Sequence, residues 1–376
     1  EIGNIMVHRG KLEDALSAYT EAKEIRKSTG SLQTPDGAAL LMSTATVLKQ
    51  RGRLAEALEA CEEAKQIRMH TGSLTSPGGA TLMKEVGVLS FQLGRRKAAL
   101  VAYQESLDIR QSCSSLLTAD GAALMTSMGI AKSVEGDFSG ALESFQTARS
   151  IRKDTKSLQT PDGAALLREI GNILGQRGDL EKALAMYNEA KGIREITGTL
   201  HTPDGAALLM STAILLKQRG QLIDALAACK EGRQIREKTC SLGSPGGASL
   251  MKEIGVLSFQ LGERQAALAA YQEALEIRES CSSLNTADGA ALMTSLGIAK
   301  SVEGDLSGAL ESFKTARTIR EETKSLQTPD GAALLREIGN ILVHRGDLEK
   351  ALATYNEAKS VRENIGSMET PDGAAL

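Results

Sequence analysis

Thr34-Pro35-Asp36-Gly37-Ala38-Ala39-Leu40 is a phrase that the chain repeats to its end. Its proline, or the alanine that replaces it, stands at Pro35, Pro77, Ala119, Pro161, Pro203, Pro245, Ala287, Pro329 and Pro371, and every interval is 42 residues. With that residue as position 1, position 4 is always Ala, position 6 always Leu, position 18 always Gly, positions 23 and 24 always Ala-Leu, and position 34 always Arg. No insertion breaks the register. A strict period means that each unit presents the same surface to the next, which is the signature of a stacked repeat array.

The phrase is also a helix start. Thr34 suits the N-cap, Pro35 the first helical position and Asp36 the first turn, where an anion meets the positive end of the helix dipole. A first helix, A, is predicted from Pro35 to about Arg51, with Gly52 as the left-handed residue that ends it. A second helix, B, is predicted from about Arg53 to His70. Its apolar residues Leu54, Ala57, Leu58, Cys61, Ala64 and Ile67 fall three and four apart, so they form one stripe. Ala at positions 4, 23 and usually 30 lets helix axes approach closely, and Leu and Ile fill the space between. The expectation is an all-α solenoid of antiparallel helix pairs, about nine repeats in one array. The array has a partial unit at 1–34, full units at 35–76, 77–118, 119–160, 161–202, 203–244, 245–286, 287–328 and 329–370, and the start of another at 371–376.

A longer period overlies the first. Gly121–Arg152 and Gly289–Arg320 differ at four of 32 positions, so units four apart are nearly identical and the superperiod is 168 residues. Glu1 falls in mid-helix at position 9 and Leu376 at position 6. Neither end has the polar cap that a terminal solenoid repeat needs, so the chain reads as a section of a longer array.

Composition narrows the function classes. With 44 basic and 47 acidic residues the formal charge is -3, which gives no electrostatic case for nucleic acid. Aromatics are 3% with no Trp, so the core is filled by Leu, Ile, Met and Ala. Five Cys at no metal-ligand spacing fit a reducing compartment, and a cytoplasmic location is the expectation. No apolar run reaches the roughly 20 residues of a membrane span.

The unit resembles a tetratricopeptide repeat in the 42-residue form of kinesin light chain and related scaffolds. The resemblance rests on the Pro-Asp-Gly-Ala-Ala-Leu-Leu start, Gly52 at the turn, Leu54 with Ala57-Leu58, and Ala64-Lys65-Gln66-Ile67-Arg68, and it covers the whole chain. It implies a right-handed superhelix whose A helices line a concave face that binds peptides or partner proteins. The family often carries Asn-Asn at positions 8 and 9; here the four unit types read Met42-Ser43, Lys84-Glu85, Thr126-Ser127 and Arg168-Glu169, then Met210-Ser211, Lys252-Glu253, Thr294-Ser295 and Arg336-Glu337. The candidate partner contacts are therefore Ser43, Lys84, Glu85, Ser127, Arg168, Glu169, Ser211, Lys252, Glu253, Ser295, Arg336 and Glu337. They make either a groove for an extended charged segment or a solvated face of balanced charge. Phe91 and Phe259 at position 15 are candidate anchors if they face outward; burial against helix B is the equal reading.

The search for chemistry ends in packing roles. No phosphate loop, dinucleotide fingerprint, zinc-protease motif or calcium loop is present. Ser-Pro-Gly-Gly at Ser76 and Ser244 reads as the ordinary start turn with Gly78 and Gly246 in place of Asp. His8, His70, His201 and His344 pair at no ligand spacing. Cys61 and Cys229 alternate with Tyr and Phe at position 27 and read as small core residues. The position-34 arginines could ladder anions, but a helix C-terminal cation with a packed stem is the better reading. No catalytic, metal or cofactor residue is assigned. Three functions follow in order: a scaffold for proteins or peptides, a structural rod that associates end to end, and an accessory region of a larger signalling or enzymatic protein.

Overall fold

A computed structural model describes residues 2–366. Among them lie eighteen helices and no strand. The start of a further repeat at 371–376 lies outside the described residues. Contacts divide the chain into two compact units, Glu1–Ile193 and Arg194–Leu376.

In the first unit the A helices are α1 (Ile2–His8), α3 (Pro35–Gln50), α5 (Pro77–Gln92), α7 (Ala119–Val134) and α9 (Pro161–Gln176). Their B partners are α2 (Leu12–Ser28), α4 (Leu54–His70), α6 (Arg96–Ser112), α8 (Phe138–Asp154) and α10 (Leu180–Ile196). The second unit carries A helices α11 (Pro203–Gln218), α13 (Pro245–Gln260), α15 (Ala287–Val302) and α17 (Pro329–His344). Their partners are α12 (Leu222–Lys238), α14 (Arg264–Ser280), α16 (Leu306–Glu322) and α18 (Leu348–Asn364). Within each unit a helix packs chiefly on its own hairpin partner and next on the first helix of the following hairpin. This is the stacking in sequence order that the period predicts.

The helix signals act as read. The Thr34 hydroxyl accepts the Gly37 N–H at 3.3 Å, and the capping hydroxyls at Ser76, Thr118, Thr160, Thr202, Ser244, Thr286 and Thr328 do the same. Gly52 has φ +75°, and the turn closes through Arg53 N–H to Leu48 O at 2.9 Å. Helix B ends differently. Its left-handed residue, at position 38, is Gly30, Gly72, Gly198 or Gly366 in some repeats but Ser114, Lys156, Cys240, Ser282 or Lys324 in others, at φ 51–55°. The repeat tolerates the small strain of a side chain there.

The invariant arginine explains itself in the fold. Arg68 O accepts the Ser73 N–H at 2.8 Å, and its Nη1 donates to Ser73 O at 3.5 Å. One residue thus grips the loop through both its main chain and its side chain. The side chain is buried in every described repeat but the first, as in Arg110 at 1% exposure, so the arginines do not line an open face as a ladder. In five repeats the guanidinium also reaches the next helix A, as in Arg152 to Asp162 at 3.5 Å.

Ion pairs pin successive B helices together. Position 31 meets position 29 of the next repeat in Lys23–Glu63, Lys65–Glu105, Arg149–Glu189, Arg233–Glu273 and Arg317–Glu357, at 2.6–3.3 Å. Where the first partner becomes Leu107 or Leu275, the second becomes Thr147 or Thr315. Each half-exposed pair contributes at most about 1 kcal/mol, so the set specifies neighbours more than it stabilises them.

Candidate functional site

Positions 8 and 9 face outward only in part. Every candidate contact is half-buried except Glu253, which is 6% exposed. The structure gathers them into two kinds of cluster, each present once in each unit.

The first cluster joins three consecutive repeats. Lys49 of α3 pairs with Glu85 of α5, while the Tyr103 hydroxyl from α6 lies near Ser127 of α7 and within electrostatic reach of Glu85, and Ser127 donates to Ala123 O on its own helix at 3.1 Å. The second unit repeats it with Lys217–Glu253 at 2.5 Å and Tyr271 near Ser295. Burial is the main cause that pushes the Tyr103 phenol up to about 12, and Tyr271 moves the same way. Both are therefore neutral hydrogen-bonding groups at physiological pH. Lys84 and Lys252, beside the paired glutamates, make no ion pair among the described residues.

The second cluster lies within one hairpin. Arg168 pairs with Glu169 at 2.6 Å, Asn172 donates to Glu169 at 3.1 Å, and Tyr187 donates to Asn172 at 2.7 Å. Arg336, Glu337, Asn340 and Tyr355 copy it at 3.2, 3.3 and 2.7 Å. Ser43 stands apart and bonds its own helix at Ala39 O, 3.2 Å away. Ser211 joins neither cluster. Phe259 packs against the core of the second unit and Phe91 is half-buried, so neither stands clear as an anchor.

Lys49, Asn172 and the tyrosines are absent from the residues chosen by sequence. A signal existed: Asn stands at position 12 in Asn4, Asn172 and Asn340, and in the two of these units that include both positions 8 and 9 those positions read Arg-Glu. Likewise Lys at position 15 precedes only the units with Lys-Glu.

No cluster of three potential metal ligands occurs among the described residues. The four histidines are exposed. Cys61 and Cys229 are buried, and burial first, with the Glu85 or Glu253 carboxylate second, pushes each thiol up to about 12. Native protein at pH 8 is expected to label quickly at exposed Cys240 and not at Cys61 or Cys229, as read by mass spectrometry. Fast native labelling of Cys61 would contradict this packing. Because the folded thiols sit above the ordinary value of 9, their contribution to stability is full below that pH and is lost as pH climbs towards 12.

Sequence profiles of the tetratricopeptide repeat family match residues 36–112, 127–195, 248–280 and 294–366. Together these cover most of the chain, and the hairpins stack as that family's repeats do. The chain belongs to the tetratricopeptide repeat family. No curated protein matches it. Among solved structures, BtubC (BKLC) from P. vanneervenii is 21% identical, with 63% of this chain and 93% of that one covered and a TM-score of 0.52. The apo form of RapI is 13% identical, with 77% and 99% covered and a TM-score of 0.59. A putative kinesin light chain from Podosopora anserina, with nearly identical TPR-like repeats, is 17% identical, with 55% and 97% covered and a TM-score of 0.47. At these identities the likeness is one of fold. No helix among the described residues is long and apolar enough to cross a membrane.

Proposed function

We propose that this tetratricopeptide repeat protein is a non-enzymatic, cytoplasmic scaffold that binds an extended charged segment of a partner protein along its A helices. One observation carries the reading. Successive A helices touch one another within each unit, α5 on α7 on α9 and α11 on α13 on α15 on α17, so positions 8 and 9 line up as a strip in each unit. Lys84 and Arg168 in the first unit, and Lys252 and Arg336 in the second, supply cations that can meet ligand carboxylates. The strips also hold Glu85 and Glu169, and Glu253 and Glu337, so a segment of alternating charge suits them better than a uniformly acidic one.

A second reading, a self-associating rod, is favoured by the near-identity of units four apart, because partner specificity ordinarily diversifies repeats. The two separate in one experiment. The full chain and a variant with Lys84→Glu, Arg168→Glu, Lys252→Glu and Arg336→Glu are used to capture partners, with helicity checked by circular dichroism and assembly followed by sedimentation. The scaffold reading expects specific captured proteins that the folded variant loses by tenfold or more, a change of about 1.4 kcal/mol. Concentration-dependent assembly of the purified chain, with partner capture equal in both proteins, would overturn it in favour of the rod.

A further inference from the structure

In seven described repeats, Arg68 to Arg320, the position-34 arginine lies against the first turn of the next helix A. In five repeats a carboxylate from that turn completes the charge: Asp120, Asp162, Asp204, Asp288 and Asp330 lie 3.5–3.8 Å from their arginines. One repeat in each unit lacks it. Gly78 and Gly246 occupy position 2 there, yet Arg68 and Arg236 stay buried at 8% and 7% exposure. A Cβ on Gly78 would lie 3.1 Å from Arg68 Nη2, and one on Gly246 would lie 2.9 Å from Arg236 Nη2. The guanidinium groups therefore point into the space that an aspartate side chain fills elsewhere.

Little else neutralises them. Arg68 keeps one long bond to Ser73 O at 3.5 Å; Arg236 keeps Ser241 O at 3.4 Å and the Ser244 hydroxyl at 3.3 Å. The Nε of each is buried without a hydrogen-bond partner, as it is in the aspartate-paired repeats, so the difference lies at the Nη groups. Burial holds both guanidinium groups below their ordinary value, with the Asp204 carboxylate partly opposing this at Arg236. A buried cation that has lost its counter-ion is costly unless another anion replaces it. The space is reachable from solvent, since the aspartates that fill it in sister repeats are 61–80% exposed. It also adjoins the N-terminal turns of α5 and α13, 16-residue helices whose dipoles favour negative charge.

We infer that Arg68–Gly78 and Arg236–Gly246 are two oxyanion sites, in which a phosphate or carboxylate group from outside the chain takes the place of the missing aspartate. The guanidinium offers Nη donors to the oxygens, and no side chain at Gly78 or Gly246 competes for them. The sites are independent of the strip at positions 8 and 9.

The test uses the full chain, with inorganic phosphate and, separately, acetate titrated at fixed ionic strength while the amide resonances of Gly79 and Gly247 are followed. Saturable movement of both signals is expected. Gly78→Asp with Gly246→Asp restores the sister-repeat residue, so the variant folds, and it is expected to lose the saturable response. Asp162→Gly is expected to create a third responsive site at Gly163. Saturation by phosphate alone assigns phosphate, and tighter saturation by acetate assigns carboxylate; both support the sites. No saturable movement in the native chain, or the same movement in the aspartate-restored variant, overturns them.

Discussion

Gly163→Ala is expected to destabilise the first unit by about 3 kcal/mol or more, at the high end for one substitution. Helix propensity alone argues the reverse, since Ala is favoured over Gly by up to about 1 kcal/mol inside a helix. Sterics decide the sign. A Cβ at Gly163 would lie 1.9 Å from Leu158 O and 2.7 Å from its carbonyl carbon. The obstacle is main chain, held by the loop that Arg152 grips at Ser157 through its own N–H and C=O partners. It cannot rotate away as a side chain would. Every described helix A start has this approach, at 1.8–2.0 Å from Gly37 through Gly331. Gly192→Ala is the control. That residue lies inside α10, and a Cβ added there would meet nothing within 4 Å, so the same chemical change is expected to stabilise by about 0.5–1 kcal/mol. Denaturant unfolding reads both, with hydrogen exchange at the α8–α9 turn to localise the first. Equal effects from the two substitutions would refute the steric account.

Gly129→Ala is expected to cost about 1–3 kcal/mol by overpacking. Its Cβ would meet the Phe145 ring at 2.4–2.9 Å, and Phe145 is 1% exposed with no space to retreat. The relation extends through the chain. Gly3, Gly87, Gly171, Gly255 and Gly339 face Tyr19, Tyr103, Tyr187, Tyr271 and Tyr355, and Gly297 faces Phe313. Where position 11 is Ala45 or Ala213, position 27 shrinks to Cys61 or Cys229. Small and large residues exchange places across the hairpin. Phe145→Cys alone is expected to cost about 3 kcal/mol through the cavity it leaves. The double substitution is expected to be no worse than Phe145→Cys alone, which corresponds to a coupling of about 1–3 kcal/mol. Strict additivity in the double-mutant cycle would show that the ring and the glycine do not share this space.

The same exchange shows how much was legible beforehand. Cys61 and Cys229 were readable as core residues from their alternation with aromatics at position 27. Their partner at position 11, sixteen residues earlier, was equally visible as a Gly-to-Ala change, but its meaning required the hairpin. The twelve candidate contacts were legible as a strip because positions 8 and 9 recur on helix A. Their grouping was not. Glu85 and Glu253 are bound by lysines 36 residues earlier, and Glu169 is held through Asn172 to a tyrosine on the facing helix.

The sequence by itself determined the period, the helix pairs, their caps and the buried stripe. These depend on interactions within about four residues, which chain order records directly. Only the tertiary structure decided what the invariant arginine grips, why position 3 must lack a Cβ, and which charges on the A helices are already paired. Those outcomes depend on where side chains point across a turn or between stacked hairpins, and at separations of 5 to 40 residues the linear pattern does not encode direction.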